Sequence, residues 1–282
     1  MKKELKYLVI VIIIIALLIG VSMAKNKEEK QEENIVNEVQ NNMVTDTAVS
    51  VINATDSQNN TSRYDVTFST EYFSSYNEKN ERVCSSERNI PTIVNPNNPD
   101  SAKVIESDLR TIMDDFWEND IKVTSEEVKV RDADEDILGV KYFVNLEYQS
   151  DNVITFSIKL DGDFGGVSWN QYELYSYDAQ TGELLTLNNV STNSESLKVL
   201  LGERTKEQAK ANQIQIDDTE KIGVDILLVE KMQSHGSFGI LGDGIHINYH
   251  KYDIATGAAG VIEVKLEKDT ANQYLLEKYN ID

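Results

Sequence analysis

"GVKYFVNLEYQSDNVITFSIKLDG", residues 139 to 162, decides the fold class. Val140, Tyr142, Val144, Leu146 and Tyr148 occupy every second position, the period of a strand with one buried face. Ser150-Asp151-Asn152 then breaks the pattern with turn-forming side chains, and a second β-rich run follows at once. The two runs predict an antiparallel hairpin. "EEVKVRD" before it and "NQYELYSYDAQTGELLTL" after it carry the same signals, with turn chemistry from Asp178 to Gly182. Residues 126 to 187 therefore read as an antiparallel meander.

Further out, "RYDVTFSTEYFSSY" from Arg63 reads as a strand, and a second extended piece runs toward "NIPTIVNP", where Pro91, Pro96 and Pro99 punctuate a loop. In "DSAKVIESDLRTIMDDFWEND", Ile105, Leu109, Ile112, Met113 and Phe116 recur on one helical stripe, with Asp100 or Ser101 as the expected cap. "STNSESLKVLLGERTKEQAKANQ" predicts a second helix with Leu197, Leu200 and Leu201 inward, and "KIGVDILLVEKM" a helical or mixed stretch. The chain then returns to strands and closes on a short helix, "TANQYLLEKY". The expected class is α+β, antiparallel sheets with packed helices, the helices segregated between groups of strands.

The N-terminus adds a membrane segment. Lys2, Lys3 and Lys6 precede an uncharged run from Tyr7 to Ala24, close to the roughly 20 residues that span a bilayer core. Its length favours a permanent transmembrane helix; cleavage as a signal peptide is the alternative, with Ser22 and Ala24 supplying the small residues a signal peptidase reads. Lys25, Lys27 and Lys30 balance the first three lysines, so the long C-terminal region, not the charge count, sets the orientation with the bulk outside. The expected organisation is 1–24 transmembrane anchor or signal peptide, 25–62 polar stalk, and α+β domains over 63–190 and 191–282. The expected location is the cell membrane, single-pass with the C-terminal region extracytoplasmic, or secreted if cleaved after Ala24.

With 48 acidic against 27 basic side chains the net charge is -21, which repels nucleic acid and excludes it as a partner. The same charge steers a cationic protein toward the chain. Cys84 is the single cysteine, so an intrachain disulfide and a multi-cysteine zinc site are both excluded, and its thiol is expected to be inert.

Motifs for chemistry are scarce. In "GIHINYHKY" His246, Asn248 and His250 share one strand face opposite Ile245, Ile247 and Tyr249, which predicts a solvated polar face rather than a metal site, since no third ligand accompanies them. "DADEDILGVKYF" from Asp132 opens like a calcium loop, but Ile137 stands where the turn needs glycine and Phe143 where a bidentate Glu is required. "DGDFGG", residues 161 to 166, is explained as well by a turn as by a cation. There is neither a G-x-S-x-G elbow nor a P-loop, and with so many acids no carboxylate pair is diagnostic of glycoside hydrolysis. No catalytic residue, metal or cofactor is expected.

"GDGIHINYHKYDIATGAAGVIEVKL" resembles the C-terminal domain shared by RsiV-type lysozyme-sensing anti-sigma factors and PdaC-type peptidoglycan deacetylases, through Asp243-Gly244, Tyr252-Asp253-Ile254-Ala255 and Ala258-Ala259-Gly260. Upstream, "IPTIVNP", Gly165-Gly166, the strand with Tyr172, Tyr175 and Tyr177, and "DAQTGELLTL" from Asp178 to Leu187 resemble the preceding domain of those proteins. Val167-Ser168 and Thr256-Gly257 depart from the family's Ala-His and Pro-Tyr, so no role tied to those residues carries over. Six residues before the apolar run are too few for a sigma-binding segment, and no room follows the last strands for a deacetylase domain. The resemblance then implies a non-catalytic, membrane-anchored extracytoplasmic binding protein of the bacterial envelope, recognising a lysozyme-like protein or peptidoglycan. Trp169, Tyr172, Tyr175 and Tyr177 are its candidate contacts, because Tyr and Trp are favoured at interfaces. A glycan-processing envelope enzyme and an anti-sigma-like stress sensor acting through a partner are the alternatives.

Overall fold

The 139–162 hairpin forms as its alternation predicts: β4 (Leu138–Gln149) pairs antiparallel with β5 (Val153–Asp163), Val144 opposite Ile158. The register shifts between Leu146 and Tyr148, so the alternation ends at a bulge around Glu147. Tyr148 consequently leaves the face of Val140, Tyr142 and Val144 and packs against the core of the C-terminal half. In the computed structural model the described residues are 47–48, 64–117, 138–163, 168–216, 237–250 and 253–282. The expected membrane run with Ser22 and Ala24, the stalk through residue 46, "EEVKVRD" and "KIGVDILLVEKM" lie outside them. Among the described residues no helix is long and apolar enough to cross a membrane.

The remaining elements extend this hairpin into one sheet in chain order. The two-residue β1 (Thr47–Ala48) borders β2 (Asp65–Tyr76), followed by β3 (Arg82–Val94), β4, β5, β6 (Ser168–Asp178), β7 (Ser237–Leu241), β8 (Gly244–Tyr249) and β9 (Ile262–Glu267). The class is mixed α+β, with the helices set between groups of strands as the sequence suggests, but the sheet is not wholly antiparallel. α1 (Pro99–Phe116) lies in the connection between the parallel pair β3 and β4. The short α2 (Leu187–Val190) and then α3 (Ser194–Ala211) lie in the connection between the parallel pair β6 and β7. Parallel neighbours need a long crossover, and a helix is the usual way to fill it. The sheet thus runs through both expected segments, 63–190 and 191–282, joining them at Leu174↔Ser237 and Tyr175↔Phe238.

Of the expected stripe α1 buries Ile105, Leu109 and Met113, while Ile112 and Phe116 are only partly buried; Phe116 stacks on Tyr142 at 4.6 Å between ring centres. Its cap is Asn98 rather than Asp100 or Ser101: the Asn98 side chain accepts from the Ser101 N–H, and Pro99 at the first turn has no N–H to satisfy. α3 places Leu197 and Leu201 inward, while Leu200 is only partly buried. It covers β8 and β9: Gln208 bonds the backbone of Lys265 in both directions, and the Thr205 and Tyr249 hydroxyls meet at 3.2 Å. The closing segment "TANQYLLEKY" is not one helix but a single turn, α4 (Lys268–Ala271), and a 3-10 turn at Glu277–Tyr279.

Cys84 lies buried in β3, and burial pushes its thiol up, away from the reactive thiolate. Alkylation of the folded chain by a thiol reagent is therefore expected to be slow, with rapid labelling only after denaturation; rapid labelling of native protein would contradict it.

Candidate functional site

The four aromatic candidates of β6 separate. Tyr177 is fully buried, packs edge-on to Phe156 and donates to Asp108 of α1 at 2.9 Å. Tyr175 is buried beside it and donates to Glu173 at 2.5 Å. Burial first, then the adjoining carboxylates, push both phenols above their ordinary range. Both are interior side chains of the face that α1 covers, so sheet packing accounts for them. Trp169 lies in β6 with its Cα opposite Gly162.

Tyr172 falls on the other face by strand alternation, and it remains partly exposed. The ammonium of Lys159 sits over its ring, 4.9 Å from the centre. Ser157, on β5, donates to Glu147 at the β4 bulge at 2.5 Å, and both border the Tyr172 hydroxyl. Partial burial, then Glu147 and Glu263, push the phenol up to about 12. One aromatic thus gathers carboxylates from β4 and β9.

Glu263 leads to the histidines. His246 is held between two carboxylates: Nδ1 lies 2.7 Å from Glu263 and Nε2 2.8 Å from Asp243. Lys265 bridges Asp243 at 2.8 Å and Glu267 at 3.0 Å. The Lys265 ammonium, then His246, holds the Asp243 carboxyl below its usual range. His250 Nε2 lies 3.4 Å from Glu173, and its backbone N–H donates to Asp253. The expectation of a solvated histidine face is overturned: His246, Asn248 and His250 are 6%, 0% and 7% exposed. The reason is the course of β7. It pairs alongside β6 through two residues, then Gly239 presses onto Leu174, while Thr155 and Ser176 bond the backbone of Ile240. A Cβ on Gly239 would lie 2.8 Å from Leu174, so only glycine permits this approach. Leu174 thus lies over Gly239, the residue paired with His246, on the face that carries His246 and Asn248.

Among the described residues no group of three His, Cys, Asp or Glu is placed to hold a metal ion. The arrangement offers an aromatic surface, carboxylates and amide chemistry for hydrogen bonding. Residues 185–269 match the profile of a family described as "Protein of unknown function (DUF3298)". The chain carries a DUF3298 domain. That domain contains His246, Asn248 and Glu263, while Tyr172 and Glu147 precede it. The crystal structure of a DUF3298 family member from Bacteroides fragilis is similar, with 13% identity, a TM-score of 0.51, and coverage of 84% of this chain and 95% of that one. A DUF3298 family protein from Pseudomonas aeruginosa aligns at 12% identity over 85% of this chain and 97% of its own, with a TM-score of 0.43. No curated protein matches the chain. The Bacteroides likeness extends to the fold.

Sequence reading named Tyr172 but missed Glu147 and Glu263 as its companions. Strand parity already places Asn248 with His246; that Glu263 of β9 acts on Tyr172 of β6 has no signal in a single strand.

Proposed function

We propose that this chain is a non-catalytic, membrane-anchored, extracytoplasmic binding protein of the bacterial envelope that takes wall glycan on the sheet face around Tyr172. The observation that carries the reading is Tyr172 itself, a partly exposed aromatic framed by Ser157, Glu147 and Glu263. An aromatic body with a few converging polar groups suits a neutral, hydroxyl-rich ligand. The resemblance to the RsiV-type and PdaC-type extracytoplasmic region and the apolar run at residues 7–24 support the location. A second reading, recognition of a basic lysozyme-like protein, is favoured by the net charge of -21.

The test is cosedimentation of the purified chain with insoluble peptidoglycan. Tyr172→Ala is expected to weaken binding by about tenfold, the size of a modest hot spot. Unchanged retention of the variant would dismiss this face. Binding to a basic muramidase that survives physiological salt, with no retention on glycan, would transfer the function to the second reading.

A further inference from the structure

Asn248 is fully buried, yet neither its side-chain oxygen nor its nitrogen has a hydrogen-bond partner among the described residues. Leaving a buried amide unpaired is costly, and an apolar residue of similar size would remove the penalty. His246, two residues back on the same face, does not share this condition, since Asp243 and Glu263 hold both its ring nitrogens. Solvent comes close to it: Glu263, directly across the ladder from Asn248, has a side chain 56% exposed.

We propose that Asn248 is the floor of an amide-binding subsite on the Tyr172 face, and that it takes the acetamido group of an N-acetylated amino sugar. The inference rests on the wall-glycan reading above and narrows it to one chemical group. A primary amide side chain presents an acceptor and a donor side by side, and a secondary amide answers both. A free ammonium offers donors only and leaves Nδ2 unpaired. A carboxylate offers acceptors only and meets Glu263 across the ladder. The charges next to Asn248 also pair among themselves, Glu263 and Asp243 with His246 and Lys265, which favours a neutral group.

Calorimetric titration of the full chain in detergent with the β-1,4-linked tetramer of N-acetylglucosamine, and with the same tetramer after complete de-N-acetylation, tests the proposal. The expected result is a preference of about tenfold or more for the acetylated tetramer, which Asn248→Leu abolishes while raising Tm. A variant that folds more firmly and discriminates less marks a residue retained for binding. If Asn248→Leu keeps the preference, Asn248 is satisfied by a trapped water and the proposal falls. If the variant does not fold, the wild-type comparison decides: equal binding of both tetramers, or of neither while sacculi are retained, overturns the subsite and leaves the glycan reading standing. Failure of tetramers and sacculi alike removes both.

Discussion

Gly244→Ala is expected to destabilise the chain by about 4 kcal/mol, near the upper end of single-residue effects. Gly244 opens β8 after the two-residue turn Gly242-Asp243, with φ of +153°, a region nearly closed to residues with a Cβ. A Cβ there would lie 2.2 Å from the carbonyl oxygen of Leu266 and 3.1 Å from its carbon, and both atoms belong to the backbone of β9. No side chain can swing away, so β8 and β9 must part. Their other faces hold Ile245, Ile247, Val264 and Leu266 in the core, and separation loosens that cluster. Gly260→Ala is the matched control. Its φ is +70°, but nothing lies within 4 Å of the added carbon, so only the conformational cost of about 1 kcal/mol remains. Urea denaturation of both variants checks the argument. Equal losses would show that the Leu266 carbonyl gives way and that contact contributes nothing.

The same glycine explains what a single sequence can show. The stretches that resemble the RsiV-type and PdaC-type region are turn and core positions: Asp243-Gly244 closes a hairpin, Ile254 and Ala255 are buried, and Ala258 and Ala259 end the 3-10 turn Gly257–Ala259, followed by Gly260 at positive φ. Such residues are legible because local sterics dictate them. α1 and the β4–β5 hairpin were legible for the same reason, periodicity against one neighbour. The parallel pairings β3–β4 and β6–β7 were not, because the helices between them carry no mark of the direction in which the chain returns. Asn248 and the histidines show the deeper limit. Alternation places His246 and Asn248 on one face, as the ladder does, but a polar face is not thereby a wet one, and His250 lies past the end of β8. Whether that face is wet depends on β7 crossing Leu174 and Ser176, residues more than sixty positions away from it in the chain. Tyr172 was legible as an aromatic on a strand, and indistinguishable there from the interior Tyr175 and Tyr177.

Asp178→Ala is expected to cost about 3 kcal/mol at neutral pH. Asp178 starts the "DAQTG" turn, and its carboxylate accepts from the N–H groups of Gln180 and Thr181 at 2.8 and 3.0 Å. It also accepts from the Tyr279 hydroxyl at 2.7 Å and Lys278 at 3.0 Å, a hundred residues on. Bonds to an ionised group contribute about 1.5–3 kcal/mol each, and losing this one carboxylate strands a buried phenol as well as a turn. Gly182 makes the turn fit: at φ +77° it backs onto Ser101 and Val104 of α1, where a Cβ would lie 2.9 Å from the Ser101 carbonyl. Asp178 therefore fastens the C-terminus to the end of β6 while the turn rests on α1. Burial alone would raise its carboxyl, but Tyr279, Lys278 and the two backbone donors together hold it below the usual range. The sign of the pH dependence follows. A depressed folded value contributes stability that is complete above the unfolded carboxylate value of about 3.9 and is lost as the pH falls through the folded one. The gap in urea stability between wild type and Asp178→Asn should accordingly be widest at pH 7 and narrow below pH 4. A gap that stays constant across that range would mean that shape at Asp178, and not its charge, ties the C-terminus down.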